Sequence, residues 1–261
     1  MKVSIIIPAY NEEKRIGNTL NRYNEYFSRV LKGRGLDYEI LVVINNTTDN
    51  TKGVVEKFSK KNKRINYLEL ERGGKGFAVL SGFKKALSNE KNDLIGFVDA
   101  DLATPPEEFH KLINSIKRCD VAIASRLKKG SKILPKFTLK KKLITLGFSN
   151  FVRFLMMMPH KDTQCGAKLF RNNSAKYVVE NVVMSKWAFD VEVLYKLRKE
   201  GHRIIEVPSV WFDVQGSKID IKKDSIRMFL AIWQLRIVNS PFRGFLKPGK
   251  PMIDFVWRFV K

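Results

Sequence analysis

The first 125 residues alternate short, continuous apolar runs with longer stretches of helical periodicity. Residues 3–7 form a run interrupted only by Ser4, which predicts a strand buried on both faces. Residues 12–31 then place apolar side chains at helical spacing, with Asn11 in position to cap them. Residues 40–44 predict a second buried strand, followed by the polar turn Asn45-Asn46-Thr47-Thr48-Asp49 and a helix to about Lys60. A third strand is expected over residues 65–70, and Gly73-Gly74-Lys75-Gly76 opens a helix reaching Leu87. Residues 94–98 and 121–125 complete the set, with a helix starting near Pro105 between them. Continuous runs separated by helices imply an α/β domain on a mostly parallel sheet covered on both faces.

On such a sheet, ligands bind beyond the carboxyl ends of the strands. Each unusual loop falls there: Pro8-Ala9-Tyr10-Asn11-Glu12, residues 45–49, residues 73–76, Asp99-Ala100-Asp101 and Ser125-Arg126. Side chains at i and i+2 of an extended chain share a face, so Asp99 and Asp101 point together. Two hard oxygen donors suit Mg²⁺ or Mn²⁺ holding a diphosphate. Spacing alone fits equally an acidic turn capping the helix from Pro105; the convergence of the other loops favours the cation.

The second half is less regular. Residues 128–142 read as a basic, mobile loop containing Gly and Pro, and residues 143–158 as an apolar helix. Ile144, Phe148, Phe151, Leu155 and Met158 share one face of that helix, which predicts a core helix, with an interfacial one as the alternative. Residues 225–238 and 254–260 are further amphipathic segments carrying Trp233 and Trp257. The pattern is that of one catalytic domain over residues 1–220 and a C-terminal amphipathic helical extension over 221–261, placed either at a membrane or on a partner.

A formal net charge of +23 favours anionic partners: nucleic acid, anionic lipid headgroups or phosphorylated substrates. No helix-turn-helix, RNA-recognition or zinc-ligand spacing supports nucleic acid. Cys119 and Cys165 make no disulfide framework, and His110, His160 and His202 lack ligand spacing and read as structural or solvated. No run of eighteen uncharged apolar residues occurs, and the N-terminus enters a strand at once. The expectation is a cytoplasmic protein, peripheral at the membrane surface, with no transmembrane helix.

The order of motifs resembles the inverting glycosyltransferases of family 2, with their GT-A (Rossmann-like) fold, and within them the dolichyl-phosphate glucosyltransferases and their mannosyl relatives. The likeness runs over roughly residues 1–235. It rests on Val3-Ser4-Ile5-Ile6-Ile7-Pro8-Ala9-Tyr10-Asn11-Glu12-Glu13, Gly74-Lys75-Gly76, Asp99-Ala100-Asp101-Leu102 and Ser125-Arg126. Further matches are Asp162-Thr163-Gln164-Cys165-Gly166-Ala167-Lys168-Leu169-Phe170, Trp187-Ala188-Phe189-Asp190-Val191-Glu192 and Gly216-Ser217-Lys218.

The resemblance implies a wall of Pro8, Ala9, Tyr10 and Glu12 around base and ribose, with Lys75 and Gly76 near by. It implies Asp99 at the ribose or near the metal, Asp101 as direct metal ligand, and Arg126 as a phosphate-binding arginine. Lys141 is the counterpart of a second basic residue, beside Thr145. Gln164, Cys165 and Gly166 would border the sugar, Asp190 and Glu192 would meet its hydroxyls, and Lys218 would approach phosphate. Relatives carry an Asp-Asp-Gly-Ser-like run where this chain has Asn45-Asn46-Thr47-Thr48-Asp49; an Asn keeps the hydrogen bond to a base edge but not the charge.

The implied reaction moves a hexose from a nucleotide diphosphate sugar, UDP-glucose or a related UDP-hexose, to polyprenyl (dolichyl) phosphate. GDP-mannose as donor, or a glycan or soluble acceptor, are the neighbouring alternatives. A lipid phosphate needs no protein base; a hydroxyl acceptor would, with Asp190 the candidate, although a helix cap or an ion pair explains Asp190 nearly as well. The reading from another class is a basic nucleic-acid-binding protein without catalysis.

Overall fold

The computed structural model describes residues 1–31, 35–183, 188–214 and 221–240, the first five of the last segment by backbone alone. Lys218 and residues 254–260 lie outside the described residues. Seven strands form one sheet: β1 (Lys2–Ala9), β2 (Asp37–Asn45), β3 (Ile65–Leu70), β4 (Leu94–Val98), β5 (Val121–Ser125), β7 (Ala167–Arg171) and β8 (Ile204–Pro208). Their order is β3-β2-β1-β4-β7-β5-β8. Only β7 runs antiparallel to its neighbours β4 and β5. The short strands β6 (Lys132–Leu134) and β9 (Val210–Phe212) pair in parallel beside it.

The pleat of β1 sorts the two layers. Val3, Ile5 and Ile7 face a core shared with α1 (Ile16–Val30), α2 (Thr51–Lys61) and α4 (Pro106–Ser115). Ile6 faces the opposite core, filled from α3 (Lys75–Leu87), α5 (Leu139–Met156), α6 (Asn172–Asn181), α7 (Phe189–Lys199) and α8 (Ile221–Val238). Side chains alternate faces along a strand, so a run apolar at every position requires both layers. The helix on residues 143–158 is a core helix only in its second half: Phe148, Phe151 and Leu155 pack on this second core, Met156 and Met158 are buried in it, and Phe151 stacks on Phe229 of α8 at 4.1 Å, whereas Ile144 of the expected face is exposed.

Two local readings change, and one strand is new. Helix α1 begins at Ile16, not residue 12, because Asn11 sits in the left-handed region (φ 52°) and its side-chain oxygen accepts the Thr48 amide at 2.8 Å instead of capping. Residues 128–142 are no open loop. They contain β6 and the start of α5, whose first turn is capped by the Thr138 hydroxyl accepting the Lys141 amide. Strand β7 escapes an apolar-run search because Lys168 interrupts it, yet that lysine has no exposure. The histidines are structural, with His110 on the Tyr26 hydroxyl at 2.9 Å and His202 on Ser174 at 3.1 Å. No helix among the described residues is long and apolar enough to cross a membrane.

Candidate active site

The acidic bend after β4 is held from the approach to β7 and from α1. The Asp99 amide donates to the Gly166 carbonyl at 3.1 Å, and the Ala103 amide donates to Asp101 Oδ1 at 3.0 Å. From α1, Thr19 Oγ1 donates to the Ala100 carbonyl at 2.7 Å and the Tyr23 hydroxyl to Thr104 O at 2.8 Å. Leu102 adopts φ 62°, a conformation that costs a side chain about 1 kcal/mol or more and persists where its surroundings over-determine it. Neither Thr19 nor Tyr23 stands out in sequence, because each reads as an ordinary inner-face helix position.

Since β7 is antiparallel, its beginning lies beside the carboxyl ends of β4 and β5, and this brings Gln164-Cys165-Gly166 to the bend. Gly166 has to lack a side chain: a Cβ there would sit 1.7 Å from Asp99 Oδ2. Gly166→Ala is therefore expected to displace the Asp99 carboxylate and cut donor turnover by at least about tenfold, with far-ultraviolet circular dichroism unchanged. Wild-type kinetics in that variant would separate Asp99 from the reaction. Gln164 is half-buried; Cys165 is buried, its thiol pushed up to about 12 by burial and then by the Asp162 charge, and so is unreactive.

Opposite the bend, α3 and α7 supply alternating charges. Lys75, in the first turn of α3, places Nζ 2.7 Å from Asp99 Oδ1 and 3.8 Å from Asp190 Oδ2. Gly76 lets this helix start close against Phe189, since a Cβ would lie 2.8 Å from its ring. Asp190 Oδ1 accepts from buried Lys168 at 2.6 Å, and Lys168 also donates to the Cys165 carbonyl at 2.7 Å. Burial opposes the Lys75 charge, but Asp99 and Asp190 outweigh it and hold its ammonium above the ordinary range. Glu192 does not join this cluster. Two residues on along α7 it faces another way, buried, accepting the Val183 amide at 2.9 Å and lying 2.9 Å from Lys196. The structure thus separates Glu192 from Asp190, with which the resemblance grouped it.

Arg126 follows β5 and forks onto Asp162, with Nε–Oδ2 and Nη2–Oδ1 both 2.8 Å, its guanidinium 5.3 Å from the Trp211 ring centroid. Burial opposes the Asp162 charge, yet Arg126 holds the carboxyl below the usual range. Lys141 bonds both Asp213 oxygens, at 2.6 and 2.7 Å, and Thr145 spends its hydroxyl on the Lys141 carbonyl at 2.9 Å. A phosphate reaching Arg126 or Lys141 would meet cations already oriented by carboxylates. Asp162 belongs to a matching motif, whereas Asp213 has no local signal.

The expected nucleotide wall is assembled in part. Tyr10 is exposed, and Pro8, Glu12 and Asn46 lie near it around the ends of β1 and β2. Glu12 is forked by Arg15 at 2.7 and 2.6 Å, and Arg15 also feels Asp101 and Asp99, a cation near the acid pair that sequence spacing does not reveal. Ala9 and Asn45 are buried instead. Asn45 Nδ2 donates to the Ala9 carbonyl at 3.0 Å and Oδ1 accepts the Gly74 amide at 3.2 Å, so its amide ties β1, β2 and α3 together and is already committed. Asn46, exposed and at φ 48°, is the member of that pair open to a base.

The donor set fits a hard divalent cation. Asp101 titrates above the usual carboxylate range, through burial first and the Asp99 charge second, a repulsion that a bound cation would relieve. Among the described residues no group of three or more His, Cys, Asp or Glu could hold a metal alone. Two carboxylates completed by diphosphate oxygens is a familiar arrangement for Mg²⁺.

A model of glycosyl transferase family 2 matches residues 4–178. The dolichyl-phosphate beta-glucosyltransferase of Dictyostelium discoideum is 31% identical over 244 residues, 90% of this chain and 73% of that protein. The protein of that name from Drosophila melanogaster is 32% identical over 84% of this chain and 69% of its own. Among solved structures, the Mycobacterium tuberculosis glucosyl-3-phosphoglycerate synthase in complex with Mn²⁺, UDP and phosphoglyceric acid matches with TM-score 0.67 at 13% identity, over 92% of this chain and 80% of that one. The Pyrobaculum calidifontis mannosyltransferase in complex with GDP-Man and Mn²⁺ matches with TM-score 0.62 at 16% identity, over 94% and 67%. Identities this low speak for the fold alone.

Proposed function

The chain belongs to glycosyl transferase family 2, with the GT-A fold, and from that premise we propose that it transfers glucose from UDP-glucose to dolichyl or a related polyprenyl phosphate. The observation that carries this reading is the acidic bend Asp99–Asp101 facing Lys75 and Asp190 across one cleft, with Arg126 on the strand edge beside it. A phosphate monoester has its second pKa near ~6, so at neutral pH the acceptor is already a nucleophile. Its oxygen forms the new bond to C1 of the glucose as the bond from C1 to the diphosphate breaks, and UDP departs with the electron pair.

Asp101, with Asp99 at its side, would hold Mg²⁺ or Mn²⁺. Bound there, the cation supplies Lewis-acid neutralisation of the leaving diphosphate. Lys75, paired with Asp99, would stand near the base and ribose of the donor. Arg126 and Lys141, pre-oriented by Asp162 and Asp213, supply fixed positive charge where the reaction builds negative charge. Gln164, the Cys165 carbonyl and Gly166 border the sugar, and Asp190 accepts its hydroxyls.

The acceptor's tail calls for a lipid surface. Leu139, Leu143, Phe154 and Met157 of the α5 region are exposed, Phe154 at 86%, and Lys136, Lys140 and Lys142 stand around its start. Apolar side chains bordered by cations suit peripheral contact with anionic headgroups.

The test is incubation with radiolabelled UDP- and GDP-sugars, Mn²⁺ and either dolichyl phosphate vesicles or soluble acceptors. Label from UDP-glucose extracting into organic solvent is expected. Label passing only to soluble acceptors, or only from GDP-mannose, would overturn the assignment of acceptor or donor respectively.

A further inference from the structure

Among the described residues, Lys168 is the only lysine or arginine that is buried, and its exposure is 0%. Taking an ammonium out of water is costly even after the protein relaxes, and an apolar side chain of similar volume is often tolerated as well in such a place. The charge is better explained by what it holds. Its Nζ joins two separate segments, the Cys165 carbonyl before β7 and Asp190 Oδ1 on the first turn of α7, over the Phe97 ring at 5.2 Å. From there charges alternate outward: side-chain exposure rises from 0% at Lys168 to 16% at Asp190 and 36% at Lys75, which bonds Asp99.

We infer that Lys168 is a positioning residue that fixes Asp190, and with it the 164–166 segment, so that the donor sugar is gripped separately from its nucleotide. This rests on the donor reading given above. Lys168 holds Asp190 by one oxygen, which leaves the oxygen on the Lys75 side to meet the cleft. Both carboxylate oxygens already face ammonium groups. That arrangement suits accepting hydroxyl hydrogen bonds. The Cys165 carbonyl, drawn to the same ammonium, keeps the sugar-side segment in register with α7.

The test compares binding of UDP and of UDP-glucose by calorimetry with Mn²⁺ present, using the full chain as wild type, Lys168→Met, Asp190→Asn and the double variant. The ratio of UDP-glucose to UDP affinity is expected to fall about tenfold in each single variant, the scale of one lost charge-assisted hydrogen bond, while UDP affinity stays within about twofold. The double variant should fall no further than the worse single one, because both changes break one unit. Equal loss of both ligands, no loss of either, or additive losses would each overturn the inference. If Lys168→Met does not fold, Lys168→Gln, which keeps a donor without the charge, is expected to show the same split to a lesser degree, and an unsplit loss there overturns it as well. Wild-type protein that binds neither UDP nor UDP-glucose would overturn the donor reading itself, a result distinct from the others.

Discussion

Replacing Asp101 by Ala is expected to lower kcat by about a thousandfold, or ~4 kcal/mol of barrier, because in the proposed reaction the leaving diphosphate would lose the neutralisation that a cation held by this carboxylate supplies. Stability should move the other way. The folded carboxyl of Asp101 titrates above its ordinary range, through burial and then the Asp99 charge. A carboxyl shifted upward contributes stability that is complete below the ordinary range and lost as pH rises through the folded value. At neutral pH without metal its charge is therefore a cost, and Asp101→Asn should melt no lower than wild type. Mn²⁺ should raise the wild-type Tm and leave the variant's unchanged, as binding to the folded state alone requires. Melting curves with EDTA and with Mn²⁺, beside an activity assay, check both halves. A variant that turns over normally would remove the bend from the reaction.

Asp162→Ala is expected to destabilise the fold by about 3–5 kcal/mol, the penalty for stranding a buried charge, which for a chain of this size lowers Tm by on the order of 10 °C. Arg126 would lose both side-chain bonds and its backbone amide its acceptor at 2.8 Å. The pH dependence has the opposite sign to that of Asp101. Arg126 holds the Asp162 carboxyl below the usual range against the effect of burial. Its contribution is therefore present above the ordinary carboxylate value and lost as pH falls through the lower folded one. The stability gap between wild type and Asp162→Asn in denaturant titrations should begin to narrow as pH falls below about 4 and close only below the lower folded value. A gap that widens in acid would contradict the pairing.

Much of this fold is written in short-range pattern. The runs at residues 3–7, 40–44, 94–98 and 121–125 are buried strands, and the helices between them lie where helical spacing puts them, apart from the later start of α1. Because parallel strands direct their carboxyl ends to one edge, the chain itself brings residues 8–12, 73–76, 99–101 and 125–126 into one cleft. Periods of 2 and 3.6 depend only on near neighbours, so they survive in the sequence without knowledge of the partner.

What the sequence by itself determined, then, is the alternating α/β framework, the sheet edge on which the candidate site lies and the acidic pair upon it. Tertiary structure alone decided which polar groups are spent and which remain. Asn45 is committed to Ala9 and Gly74, Glu192 turns from the cleft, and the Lys141–Asp213 pair joins residues 72 positions apart. Lys168 carries no local signal of burial, and becomes a buried anchor because β7 enters antiparallel and carries it against Asp190. The physical reason is that a charge is placed by whichever opposite charge reaches it, and that partner comes through contacts between distant segments, which no local period records.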